Sequence, residues 1–239
     1  MSGHSHFKTV AATKNANDAK KGKIFSKMGR VITIAVKEKG ADTSVNATLK
    51  GLIEKAKEFN MPKENIERAI KKGTGELVGE NLEEVSFEGF GPGGIALIIE
   101  GITDNKNRAL GEVKGILGQY DGKMAGEGAV RWMFDKKGHI TIATETRTKE
   151  ELELMAIEAG ADDVKIKDAT MEVYTKPEDL EQVKKALEAK GMKIESAILD
   201  WIPKEEVDIE QKHKEKAQKL FEALDENDAV QDIYSNLKN

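Results

Sequence analysis

Residues 83–102, EEVSFEGFGPGGIALIIEGI, contain two strand-like stretches separated by a glycine-rich turn. Glu83 to Phe90 and Ile95 to Ile102 carry strand-forming residues, and Gly91-Pro92-Gly93-Gly94 between them is typical of a turn. This pattern predicts a β-hairpin. The glycines also fit G-x-G-x-x-G, but a dinucleotide site needs a helix after the last glycine. Because a buried strand pattern follows instead, the run indicates a turn at a sheet edge.

A helix of about Asn105 to Tyr120 and a strand near Ala129 to Phe134 are predicted after the hairpin. The next segments alternate as strand, helix, strand, strand, helix and strand, which is the ferredoxin-like βαββαβ order. These segments are His139–Ala143, Lys149–Ala159, Val164–Lys167, Thr170–Thr175, Glu178–Ala189 and Lys193–Trp201.

The last predicted helix, Ile209–Leu224, and the last strand, Val230–Ser235, have no neighbouring partners in the sequence. We expect both to return to the hairpin, which makes the ferredoxin-like segment an insertion. The fold class is therefore α+β multidomain, with an N-terminal three-helix domain and two α/β domains. The expected boundaries are 1–76, 82–136 plus 204–239, and 137–203 for the inserted domain.

Three helices are predicted upstream of the hairpin. In residues 17–39 the apolar side chains recur at helical spacing, and Gly40 ends the pattern. A second helix covers about Val45 to Phe59, and the third begins at Pro62, a residue suited to a first helical turn. Glycines at 73 and 75 then lead into a polar linker.

The net charge of −5 is the sum of two opposite parts of the chain. Residues 1–75 hold sixteen Lys and Arg against seven Asp and Glu, a net charge of +9, which leaves −14 for the remainder. Such asymmetry is typical of a chain with one polyanion-binding segment. The helical segment is therefore the candidate for binding nucleic acid.

Five basic residues of the first helix lie on one side of it, next to the apolar face: Lys20, Lys23, Lys27, Arg30 and Lys37. Cations in such a stripe can neutralise successive phosphates. The alternative is an ordinary solvated helix face. The predicted nucleic-acid contacts are Lys8, Lys14, Lys20, Lys21, Lys23, Lys27, Arg30 and Lys37.

Two smaller groups are further candidate contacts. Lys106, Asn107 and Arg108 begin a helix after a strand, where Asp104 or Asn105 is also suited to cap that helix. His4 and His6 alternate near the N-terminus, but no Cys or nearby carboxylate completes a metal site with them. We predict no bound metal.

Several functional classes are not supported by the sequence. The chain has no Cys, which excludes disulfides and thiol catalysis and suits a cytoplasmic location. No apolar run approaches the ~18 residues of a membrane span. There is no P-loop, nucleophile elbow or defensible catalytic triad. We expect no catalytic residues, cofactor, small-molecule substrate or membrane partner.

Several motifs resemble those of one known family, in order along the whole chain. The chain is similar to the YebC/PmpR family, whose relatives include the mitochondrial translational activator of cytochrome c oxidase subunit I. The resemblance implies three domains, the last inserted into the second, and no catalysis. The motifs are Gly3-His4-Ser5-His6-Phe7, 18–27 (DAKKGKIFSK), 61–73 (MPKENIERAIKKG), 87–94 (FEGFGPGG) and 103–108 (TDNKNR).

The family resemblance leaves two functions open. One is a DNA-binding transcriptional regulator, the usual description of the family. The other is an RNA- or ribosome-binding translation factor that relieves stalling at proline-rich stretches. The residues lean slightly towards RNA, because backbone and shape recognition suits lysines and no helix with base-reading side chains is evident. We expect DNA first, on the family description.

Overall fold

A computed structural model describes residues 18–79, 81–144, 147–167 and 169–238, with only the backbone for residues 18–20 and 167. Two compact units are formed. One comprises the described residues of Gly3–Arg131 and Val207–Asn239, and the other is Trp132–Glu206. The three helices and the hairpin therefore belong to the same unit.

The predicted three helices are confirmed as α1 (Asp18–Lys39), α2 (Ala47–Glu58) and α3 (Lys63–Thr74). The Asn46 side chain caps α2 by accepting the Leu49 backbone N–H at 2.9 Å, and α3 begins directly after Pro62. α1 packs against both partners. The buried centre of this bundle is built from Met28, Ile32, Ala35, Val36, Leu49, Ala56, Met61, Ile66 and Ala69.

The predicted hairpin is confirmed as the centre of the first sheet. β1 (Glu83–Phe90) and β2 (Ala96–Thr103) are antiparallel, with Phe90 opposite Ala96 and a short 3₁₀ turn at Pro92–Gly94. The last strand, β8 (Val230–Ser235), pairs with β2, as expected for a chain that returns to its first sheet. A strand therefore follows the glycine run, which agrees with the turn interpretation.

Two helices cover the first sheet. α4 (Lys106–Gln119) and α7 (Gln211–Asp225) contribute buried residues to one apolar core with the strands. That core includes Leu97 and Ile99 of β2, Val113 and Leu117 of α4, and Ala217, Leu220 and Leu224 of α7.

The strand predicted near Ala129 to Phe134 is wrong. The fourth strand of the first sheet is the two-residue β3 (Lys123–Met124), and Arg131–Met133 forms a 3₁₀ turn. The buried Glu88 carboxylate accepts backbone N–H groups of Gly128, Val130 and Arg131 at 2.7–3.0 Å. These bonds replace a β-ladder, and the burial of Val130 reflects a loop folded around a carboxylate.

The inserted segment has the predicted βαββαβ order. Its strands are β4 (Phe134–Ala143), β5 (Asp163–Lys167), β6 (Thr170–Thr175) and β7 (Ile194–Pro203), and its helices are α5 (Lys149–Glu158) and α6 (Leu180–Ala189). The sheet order is β5-β6-β4-β7, with every paired strand antiparallel. Ile140, Ile142, Met171 and Val173 of this sheet are buried in one core with residues of both helices.

Candidate nucleic-acid interface

Two of the predicted phosphate-binding lysines of α1 contact the end of α7. Nζ of Lys27 donates to Asp225 Oδ1 at 2.7 Å and to the Asp225 backbone carbonyl at 2.8 Å. Lys23 donates to the Glu226 carbonyl at 3.0 Å and pairs with the Glu226 carboxylate. The Lys27 side chain is only 11% exposed. Its ammonium group therefore serves an internal contact.

Arg30 and Lys37, farther along α1, also donate hydrogen bonds to acceptors outside the helical bundle. Nη1 of Arg30 donates to the backbone carbonyls of Ile102 at 3.1 Å and Asp228 at 2.7 Å. Nζ of Lys37 donates to Asn81 Oδ1 at 2.7 Å and to a backbone carbonyl at 3.1 Å. We call Lys23, Lys27, Arg30 and Lys37 the docked cations, since all four donate to residues outside the helical bundle.

The end of α7 explains why lysines dock there. The last carbonyls of a helix have no partner within the helix, and the helix dipole makes that end negative. Asp225, Glu226 and Asp228 add carboxylates to the same turn. This end therefore offers cations the same oxygen acceptors and negative charge that a phosphate offers.

For the other predicted contacts of the helical segment, the structure gives fewer details. Lys21 is exposed at the start of α1, and only the backbone of Lys20 is described. Lys8, Lys14, His4 and His6 lie outside the described residues. Nucleic-acid binding by these residues stays a prediction.

The polar cluster at the start of α4 caps that helix. The Asn105 side chain accepts the Arg108 backbone N–H at 3.0 Å, as the capping interpretation expects. The Arg108 guanidinium pairs with Asp104 and lies 3.8 Å from Glu112. Lys106 and Asn107 are exposed. In this cluster, nearby carboxylates neutralise the charge of Arg108, whereas Lys106 faces solvent.

A groove of about 410 Å³ lies between α1 and α3. We call it the α1–α3 groove. None of the described residues that line it is Asp or Glu, and three are Arg or Lys. They are Gly22, Phe25, Ser26, Gly29, Arg30, Thr33, Met61, Asn65, Arg68, Ala69, Lys72 and Leu82.

Two of the cations in the groove differ from the docked cations. Arg68 and Lys72 are exposed, and within the described residues their side chains make no hydrogen bond or ion pair. Asn65, Arg68 and Lys72 follow one another at spacings of three and four residues, so they share one face of α3. Arg68 and Lys72 contribute to the basic charge of residues 1–75 but are not among the contacts predicted from the sequence. Their spacing was the signal that could have found them.

The inserted segment holds one buried histidine. The His139 side chain is fully buried, its Nδ1 lies 2.8 Å from Asp200 Oδ2, and its ring stacks on Tyr174 at 4.9 Å. Across the described residues, His, Cys, Asp and Glu nowhere form a group of three or more able to hold a metal ion. None of the helices described is long and apolar enough to cross a bilayer.

Two family models and several relatives match nearly the full length of this chain. The family model described as TACO1/YebC protein N-terminal domain matches residues 5–76, and the one for the TACO1/YebC second and third domain matches residues 82–237. A probable transcriptional regulatory protein of Thermoanaerobacter pseudethanolicus is 46% identical, covering 100% of this chain and 97% of that protein. A probable transcriptional regulatory protein of Geobacter sulfurreducens is 46% identical over 99% of this chain and 95% of its own.

A solved structure is similar as well. The crystal structure of a conserved hypothetical protein from Aquifex aeolicus is 42% identical, with a TM-score of 0.83. The match covers 95% of this chain and 96% of that one. The helical bundle, the first sheet and the inserted segment thus all have counterparts in relatives of full length, and the chain belongs to the TACO1/YebC family.

Proposed function

We propose that this chain is a non-enzymatic, nucleic-acid-binding regulator of transcription whose helical bundle contacts DNA at the α1–α3 groove. The observation that carries the proposal is the set of charges around the groove: Arg68 and Lys72 are exposed, without side-chain partners among the described residues, and the described lining has no carboxylate. Exposed cations of this kind neutralise phosphates and release counterions. The names of the relatives support a regulatory role in transcription.

The test measures binding of the full-length chain to short duplex DNA by fluorescence anisotropy at several salt concentrations. Arg68→Gln combined with Lys72→Gln is expected to weaken binding about a hundredfold, since a hydrogen bond to a charged group contributes roughly 1.5–3 kcal/mol. The slope of log K against log salt is expected to fall in magnitude by about 1.8, because two phosphate contacts are lost.

A matched control separates the groove from general electrostatics. Lys50→Gln combined with Lys57→Gln removes the same charge from exposed positions of α2, outside the groove. We expect this variant to change the affinity by less than about threefold, the effect of lost long-range attraction alone. Equal losses in both variants, or no binding of duplex DNA by the unaltered chain, would contradict the proposal.

The alternative function, an RNA-binding translation factor, is tested by measuring how the unaltered chain and the same variants bind structured RNA. Cross-linking in cells followed by sequencing of the bound nucleic acid is expected to return DNA upstream of regulated genes. Recovery of ribosomal RNA in place of DNA would favour the RNA-binding translation factor. In that case the groove variants are expected to lose affinity for RNA.

A further inference from the structure

The α1–α3 groove has an apolar floor as well as a cationic edge. Met61, Ala69 and Leu82 line it and are 5–6% exposed, and Phe25 lines it while half-buried. A phosphate group alone gains little from an apolar surface, because its charged oxygens lose their hydration there. The floor suits the face of a nucleobase, which stacks on aromatic and apolar side chains.

The groove stays open because α1 has small residues on the side that faces α3. A Cβ at Gly29 would lie 4.0 Å from Ala69 Cβ and Met61 Cε, so a larger side chain there would fill the space. At Gly22 a Cβ would meet nothing within 4 Å. Between these glycines, Ser26 adds only a short hydroxymethyl side chain to the groove, and the ring of Phe25 forms part of its floor. The volume of about 410 Å³ lies within the range of ~300–1,000 Å³ usual for small-ligand sites.

The polar groups of the groove complement the remaining parts of a nucleotide. Arg68 and Lys72 supply positive charge for a phosphate, and Ser26 supplies a hydroxyl group. The half-buried Asn65 amide offers both a donor and an acceptor, the combination that pairs with a base edge. A base inside a duplex is stacked between its neighbours and cannot enter, whereas an unpaired base can.

From this combination we infer that the groove binds one unpaired nucleotide of a nucleic-acid strand. Its base lies against Phe25 and Met61, and its phosphate lies on Arg68 and Lys72. The inference rests on the proposed function and adds a preference that duplex contact alone does not provide. Unpaired nucleotides of DNA and of RNA share this chemistry.

The experiment measures the affinity of the full-length chain for four labelled hairpins by fluorescence anisotropy. They are a fully paired DNA hairpin, the same hairpin with one bulged thymidine, a fully paired RNA hairpin, and the same RNA hairpin with one bulged uridine. The bulged DNA is expected to bind about tenfold tighter than the paired DNA, because one stacked base contributes roughly 1–3 kcal/mol, or about 5- to 150-fold. The RNA arm shows which sugar the site accepts, since the 2′-hydroxyl distinguishes the strands. Binding of either bulged hairpin about tenfold above the fully paired hairpin of the same sugar supports the inference.

Ser26→Leu fills the groove while leaving every cation in place. It is expected to abolish the preference for the bulge, so that bulged and paired hairpins bind with equal affinity. Asn65→Leu keeps the branched shape of the side chain but removes the amide that pairs with the base edge, and it is expected to abolish the preference as well, so the test does not depend on the folding of one variant. Gln218→Leu, at an exposed position of α7, is the matched control and should keep the preference.

The two proposals fail in different ways. Equal affinity for paired and bulged hairpins overturns the unpaired-nucleotide inference and leaves the proposed function intact. A preference that survives in both groove variants, Ser26→Leu and Asn65→Leu, overturns the location. Absence of binding to any hairpin overturns the proposed function itself.

Discussion

The docked cations of α1 and the pair Arg68 and Lys72 of α3 belong to the same bundle but have opposite roles. Lys27 is 11% exposed and donates to two oxygens of Asp225 at 2.7 and 2.8 Å. Arg68 and Lys72 are exposed at the edge of a groove, without hydrogen bonds or ion pairs from their side chains to described residues. One set donates to acceptors within the chain, most of them at the end of α7, and the other has no such contact among the described residues.

This difference shows that a basic helix face does not by itself identify a phosphate site. The end of α7 presents backbone carbonyls, carboxylates and the negative end of a helix dipole. A cation is stabilised there for the same electrostatic reason as on a phosphate. Only the position of the acceptor, inside the chain or outside it, separates the two roles.

The largest expected effect concerns how closely α1 and α3 pack. A Cβ at Gly73 would lie 2.6 Å from Val36 Cβ and 2.8 Å from the Thr33 carbonyl oxygen. We therefore expect Gly73→Ala to lower the free energy of unfolding by about 3 kcal/mol, as an overpacked core position does. Gly22→Ala, at the open end, is expected to raise it by roughly 0.5–1 kcal/mol through helix propensity.

Urea denaturation of both variants measures this contrast. Equal changes in the two variants would mean that the helices are not closely packed at one end and open at the other. The groove would then lose its structural basis.

A second, smaller effect tests the role of the docked cations. Lys27→Met removes two charge-assisted hydrogen bonds and leaves the Asp225 carboxylate without its cation, so the free energy of unfolding is expected to fall by about 2 kcal/mol. Lys72→Met removes the same charge from an exposed site and is expected to change it by less than about 0.5 kcal/mol. Both values come from urea denaturation at one salt concentration.

The comparison of the two cation sets fails if these results are reversed. A Lys27→Met variant with unaltered stability but strongly weakened DNA binding would place Lys27 on phosphate. Lys27 and Lys72 would then share one role.

The smallest expected effect is on the pH dependence of stability. It tests whether Glu88 anchors the 128–131 loop independently of the docking of α1. Burial raises the pKa of Glu88, but the backbone N–H groups of Val130, Gly128 and Arg131 and the Arg131 charge outweigh it and hold the pKa below its usual value. Glu88 therefore stabilises the fold above its unfolded-state pKa, and this contribution is lost as the pH falls through the lower folded-state pKa.

Glu88→Gln is expected to lower the free energy of unfolding by about 1 kcal/mol at neutral pH. The gap to the unaltered chain should close in acid, where Glu88 is protonated. Urea denaturation across a pH series measures this gap. A different result would be that Glu88→Gln lowers the free energy of unfolding by the contribution of Lys27 as well. The docking of α1 would then depend on the loop, and the two contacts would not be independent.

Local patterns were sufficient to predict most of the fold. The Gly91-Pro92-Gly93-Gly94 turn, the helical spacing in 17–39 and the βαββαβ alternation are short-range signals, and the structure confirms each of them. The strand predicted near Ala129 to Phe134 failed for a long-range reason. Its backbone N–H groups bond to the carboxylate of Glu88, about forty residues earlier in the chain.

The candidate site was predicted only in part. The charge of +9 in residues 1–75 predicted that the helical bundle holds the binding site, and the groove lies in that bundle. The choice of the α1 cations rested on one helix considered alone. Their acceptors on Asp225, Glu226 and Asp228 lie about two hundred residues away, so periodicity along α1 carries no information about them.

The sequence by itself determined the element order, the return of the last strand to the first sheet and the concentration of basic charge in the first 75 residues. Apolar periodicity, turn residues and net charge are properties of the chain read along its length. Tertiary structure alone decided which cations are docked and which stand exposed at the edge of the α1–α3 groove. That choice depends on where a distant helix end places its carbonyls and carboxylates, and on how closely glycines let α1 and α3 approach.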